Sequence, residues 1–188
     1  MKRRLVIAVV LIIMMALLVG CDTGKYQVEK VVDQEYTVVS ESARLDVTTF
    51  NGDISIDTYS GTEDDKIYLD AKIMARGDDE YILHKFIDND IKIDISGNNL
   101  IKIRAIRPSI LPNSVVGAGV KLSVKIPDEL VEELRLKTSN GDLDIRDFNG
   151  NVITDTSNGE IGLEEVEGKV DLNTSNGRIS SYEVSGVI

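Results

Sequence analysis

The chain has 188 residues, one cysteine, one histidine and a formal net charge of −11 at pH 7. That length suits one or two small domains with a sizeable core. So acidic a surface repels nucleic acid and anionic headgroups, which excludes nucleic-acid partners. A lone cysteine forbids an internal disulfide and, beside a single histidine, a Cys/His zinc site.

Lys2, Arg3 and Arg4 precede an uninterrupted apolar run from Leu5 to Leu18. The run is shorter than the roughly 20 residues of a membrane span and reads as part of a signal peptide over residues 1–20. It ends in Leu18-Val19-Gly20-Cys21, which resembles the lipobox of bacterial lipoproteins. The resemblance implies cleavage before Cys21 and lipid on its thiol. The membrane would then be a partner through Cys21, with the chain extracytoplasmic and anchored to the cell membrane. Several acyl chains hold stably where one is marginal. Removing residues 1–20 leaves 168 residues (188 − 20) with a charge of −14 (−11 − 3). Residues 21–35 read as the lipidated cysteine and a polar tether.

Residues 36–133 read as a β-rich section. Leu45, Val47 and Thr49 alternate before Asn51-Gly52-Asp53, and Ile54 and Ile56 follow. Further alternation marks Ile67 to Ile73, Ile91 to Ile95, Ile101 to Ala105 and Leu122 to Ile126. Between them, residues of about 78–88 have helical spacing, with Tyr81, Ile82 and Phe86 and acidic residues at the start.

Residues 134–188 contain an internal repeat. Thr-Ser-Asn-Gly begins at Thr138, Thr156 and Thr174, a step of 18 residues. Gly150, Gly168 and Gly186 keep the same step, as do Phe148, Val166 and Val184. Alternating apolar residues flank each motif: Leu134 and Leu136 before the first, Leu143 and Ile145 after it. Asn–Gly favours a tight turn. A lone Asn–Gly predicts a hairpin, but a strict period predicts identical coils stacked in parallel. The expected fold is therefore all-β: a parallel β-solenoid of 18-residue coils, preceded by a β-rich section carrying one short helix. Asn140, Gly141, Asn158, Gly159, Asn176 and Gly177 are expected to form a structural turn ladder at one corner. The matching unit at residues 45–56 suggests that residues 57–132 interrupt one stack. The repeat stops inside a coil at Ile188, so it is expected to be truncated.

The lipobox, the strand ending Val124-Lys125-Ile126-Pro127 and the tandem Thr-Ser-Asn-Gly units together resemble the bacterial putative-adhesin, β-strand-repeat family, a domain of unknown function. The resemblance covers roughly residues 36–188 and implies a β-solenoid in the cell envelope. It supplies no catalytic residues. The residues point the same way. His84 lies on the expected helix as a surface residue. The acidic residues after the turns do not persist: Asp142 and Asp144 become Glu160 and Gly162, then Arg178 and Ser180. A calcium ladder needs persistence, so no metal, cofactor or catalytic constellation is expected, and the chain reads as a non-enzyme. The expected role is a binding or scaffold module for an envelope protein or polymer. Its alternatives are an envelope-stress sensor and a polysaccharide-active β-helix enzyme using Asp142 and Asp144.

Overall fold

The computed structural model describes residues 24–60 and 65–187, and Val10–Leu11 as a two-residue strand paired antiparallel with Val31 and Val32. The rest of the signal segment, including the lipobox and Cys21, lies outside the described residues. In chain order the elements are β1 (Val10–Leu11), β2 (Tyr26–Thr37), β3 (Ala43–Thr48), β4 (Ile54–Tyr59) and β5 (Lys66–Gly77). Helix α1 (Glu80–Asn89) comes next, followed by β6 (Lys92–Ser96), β7 (Leu100–Ile106), β8 (Val115–Pro127) and β9 (Val131–Asn140). The chain continues through β10 (Leu143–Asn149), β11 (Asn151–Asn158), β12 (Ile161–Asn176), β13 (Ile179–Tyr182) and β14 (Ser185–Val187).

These strands form one sheet folded on itself into two layers that share β12. The first layer runs β2-β5-β8-β4-β10-β12, with β13 beyond. The second runs β12-β11-β9-β3-β7-β6. Five rungs cross both layers. Within each, one strand of the second layer turns a corner into one of the first: β7 to β8, β3 to β4, β9 to β10, β11 to the start of β12, and the end of β12 to β13. Neighbouring rungs pair in parallel, and Leu143 stands opposite Ile54 on one side and Ile161 on the other. The 18-residue step is thus a rung-to-rung register.

The sheet as a whole is of mixed orientation, which corrects the expected parallel β-solenoid. β2 pairs antiparallel with β5, β5 with β8, and β6 with β7. The β6–β7 connection spans only Gly97 to Asn99, too short for a parallel crossover. Nor do residues 57–132 simply interrupt a stack. They supply the rung β7/β8, and β3/β4 lies between that rung and β9/β10, although it precedes both in sequence. The expected tether is corrected too: from Tyr26 it is strand, paired along its whole length with β5.

Alternation explains the core. Leu45, Val47, Ile54, Ile56, Leu134, Leu136, Leu143, Ile145, Val152 and Ile161 point inward and are fully or almost fully buried. Each such side chain contributes about 1.5–3 kcal/mol by leaving water. Helix α1 packs against β2 and β5. Asp79 caps it by accepting from the Ile82 N–H at 3.0 Å. Leu83, Phe86 and Ile87, at spacings of three and four, bury one face. At the other end, Ile179 is 47 % exposed, because no described strand stacks on the far side of β13.

Candidate functional site

The Asn–Gly corners join the two layers. Asn140 donates from Nδ2 to Asn51 Oδ1 at 2.6 Å, Asn158 to Asn140 at 2.8 Å, and Asn176 to Asn158 at 3.1 Å. The threonine of each motif turns inward, and its hydroxyl donates to a corner carbonyl one rung away. Thr138 reaches Gly52, Thr156 reaches Gly141 and Thr174 reaches Gly159, at 3.0, 3.2 and 3.0 Å. The glycine permits the stacking distance: a Cβ on Gly159 would lie 1.9 Å from the Gly141 carbonyl oxygen. Asp53 and Asp142 serve the same corner. Their Oδ1 atoms accept the N–H of Asp142 and Glu160 at 3.1 and 2.8 Å. The structure thus brings Asn140, Gly141, Asn158, Gly159, Asn176 and Gly177 to one edge of the stack.

The outward residues of the first layer form rows that cross the strands. The central row is Asp33, Asp70, Ser123, Ser55, Asp144, Gly162 and Ser180. On one side runs the row Glu35, Tyr68, Lys125, Asp57, Arg146, Glu164 and Tyr182. Short side chains between long ones make a trough. Its first half, of about 660 Å³, is lined by Asp33, Glu35, Asp57, Tyr68, Asp70 and Lys125 among others. Its second half, of about 350 Å³, is lined by Asp144, Arg146, Gly162, Glu164, Ser180 and Tyr182 among others. Ser55 lies between the halves. Seven strands at about 4.8 Å give a floor on the order of 30 Å long.

Two floor carboxyls are perturbed. Burial pushes the Asp70 carboxyl above its ordinary value, and the charge and hydrogen bond of Asp33 push the same way against Lys72. Burial also raises Asp144; Arg146 opposes this, while Asp142 and Asp53 add to it. The flanking charges are largely paired with one another. Arg146 reaches Glu164 at 3.2 Å and Asp57 at 3.9 Å, Lys121 reaches Asp53 at 3.4 Å, and Lys72 reaches Glu29 at 2.8 Å.

Of the pair considered for catalysis, Asp142 is engaged at the corner and Asp144 lies on the trough floor. His84 is half-buried on α1. A persistent acidic row does exist, but not after the Asn–Gly turns. Asp147, Glu165 and Glu183 stack at the opposite corner with φ of 54°, 53° and 50°. Their shared 18-residue step was readable in the sequence; their left-handed backbone was not. Among the described residues, no group of three or more His, Cys, Asp or Glu side chains is arranged to hold a metal ion. Among the same residues, no helix is long and apolar enough to cross a membrane.

The model of the family described as Toastrack DUF4097 matches residues 44–185. No curated protein matches the chain. Among solved structures, a putative cell adhesion protein from Clostridium sporogenes is similar at 10 % identity. That match covers 79 % of this chain and 97 % of that one, with a TM-score of 0.44. A putative adhesin from Parabacteroides distasonis also matches at 10 % identity, over 83 % of this chain and 66 % of that one, with a TM-score of 0.34. A putative lipid binding protein from the same organism matches at 13 % identity, over 83 % and 75 % of the two chains, with a TM-score of 0.28.

Proposed function

We infer that this chain, which belongs to the Toastrack DUF4097 family, is an extracytoplasmic lipoprotein that serves as a binding module on the membrane surface. The trough carries the reading. A surface channel crossing seven strands fits an extended partner lying along the stack rather than a compact metabolite. The fold is a stacked coil, solenoid-like over its five parallel rungs, and its repetition gives the channel its length.

The lipobox supports the anchor. Cleavage before Cys21 removes β1 and leaves β2 as the outer strand. Tyr26 lies five residues beyond Cys21, and so short a connection spans at most about 18 Å. The β2 end of the stack would therefore sit close to the bilayer.

Two measurements test the reading. Radiolabelled palmitate should enter the wild-type chain and not the Cys21→Ala variant; equal labelling removes the anchor. In the lipid-free Cys21→Ala chain, a Ser55→Trp substitution should fill the middle of the floor and abolish retention on isolated cell envelopes whose own lipoprotein is deleted. Undiminished retention of a folded Ser55→Trp chain moves the binding site elsewhere.

A further inference from the structure

We propose that the trough holds an extended glycan bearing free amino groups, lying across the strands with its sugars over the Asp70–Ser123–Ser55–Asp144 floor. The proposal rests on the binding-module reading and names its ligand.

The floor offers a short polar group on each of four adjacent strands, a carboxyl at Asp70, hydroxyls at Ser123 and Ser55 and a carboxyl at Asp144, and a further hydroxyl at Ser180 beyond Gly162. From Asp70 to Asp144 successive groups are one strand spacing apart, about 4.8 Å, and Ser180 lies two spacings beyond Asp144. A pyranose in an extended chain advances by nearly the same distance, so successive sugars meet successive floor groups. A peptide fits the site less well. An extended peptide gains affinity from main-chain bonds to a sheet edge, whereas the trough lies on a sheet face whose backbone bonds are already made. Tyr68 and Tyr182 line the channel in its two halves and supply aromatic surface there.

Charge selects among glycans. The first half is lined by four carboxylates, Asp33, Glu35, Asp57 and Asp70, and by Lys125; Lys66 pairs with Glu35 at 3.1 Å and Arg146 reaches Asp57 at 3.9 Å, which leaves Asp33 and Asp70 in excess. The second has Asp144 and Glu164 against Arg146, which already pairs with Glu164. The excess is negative throughout, in a chain of net charge −11. A polyanionic glycan is repelled, a neutral one gains hydrogen bonds only, and an ammonium-bearing one gains charge-assisted bonds at Asp70 and Asp144. The raised carboxyls agree, since a cation placed beside either floor group compensates its desolvation.

The test is calorimetric titration of the full chain in detergent micelles with three probes: glucosamine hexamer, N-acetylglucosamine hexamer and a galacturonate hexamer. The glucosamine hexamer should bind at neutral pH, at least about tenfold more tightly than its acetylated form, which is the loss of roughly one charge-assisted bond. The galacturonate hexamer should give no heat of binding. Asp70→Asn and Asp144→Asn should each weaken glucosamine binding about tenfold without lowering the thermal midpoint. Asp155→Asn, on the other layer, should leave binding unchanged. Equal affinity for the two amino-sugar hexamers overturns the charge selection, and unchanged affinity in both floor variants overturns the site. Absence of glycan binding by a chain whose envelope retention still depends on Ser55 overturns the ligand while leaving the binding-module reading intact.

Discussion

The threonine, asparagine and glycine of the Thr-Ser-Asn-Gly motif have separable tasks, so single substitutions read out single interactions. Asn158 both donates to Asn140 and accepts from Asn176. Asn158→Ala should cost about 1–2 kcal/mol in urea unfolding, and more than Asn176→Ala, whose Oδ1 has no further rung above it among the described residues. Glycine is required where backbones approach closely. Gly159→Ala drives a methyl into the Gly141 carbonyl and should unfold the chain or cost several kcal/mol. Gly117→Ala, whose new Cβ meets nothing within 4 Å, should fold normally. Thr154 is the opposite case. It is 2 % exposed, and its hydroxyl has no hydrogen-bond partner among the described residues. Thr154→Val should stabilise the chain by about 1 kcal/mol, read as a higher urea midpoint with an unchanged slope. The motif's spacing was plain in the sequence. The trough was not, because Ser55, Ser123 and Asp144 lie far apart in the chain and become neighbours only through the inserted rung.

At the scale of elements, the period is a structural register rather than a mere sequence likeness. Deleting residues 151–168 joins Gly150 to Lys169, so Val170 takes the place of Val152 and β10 passes directly into the β12 segment that matches β11. The shortened chain should remain folded, with a smaller denaturant slope because less surface is buried. Deleting residues 152–168, one residue fewer, shifts every following side chain to the other face and places Lys169 in the core. Circular dichroism and a lost unfolding transition should report that failure. The repeat, the short helix and the alternating strands were all legible, because each depends on local periodicity. The order of rungs was not: pairing β3 between β7 and β9 is a long-range choice with no local signature. The antiparallel end strands were hidden for a similar reason. Alternation reveals which face is buried, not the direction of the neighbouring strand.

For the whole molecule, acidity connects binding to stability. Asp70, Asp144 and Glu165 all have carboxyls raised above their ordinary values. Burial dominates the first two, and the hydrogen bond to Asp147 dominates the third. Between the ordinary and the raised value, the folded chain holds protons that the unfolded chain has released. Stability in that window therefore falls as pH rises, and the contribution is fully present only below the ordinary carboxylate range. The repulsion implied by a net charge of −11 acts in the same direction. The urea midpoint should consequently rise as pH is lowered from neutrality towards the ordinary carboxylate range. Asp70→Asn should flatten this rise and stabilise the chain at pH 7 by less than about 1 kcal/mol, since the group is largely exposed to solvent. Added salt should flatten it further by screening the exposed charges. A midpoint that falls over the same range would show that the raised carboxyls do not govern stability. Glucosamine binding should move the other way, weakening as Asp70 and Asp144 take up protons, so the charge that makes the trough selective is held at the expense of the fold.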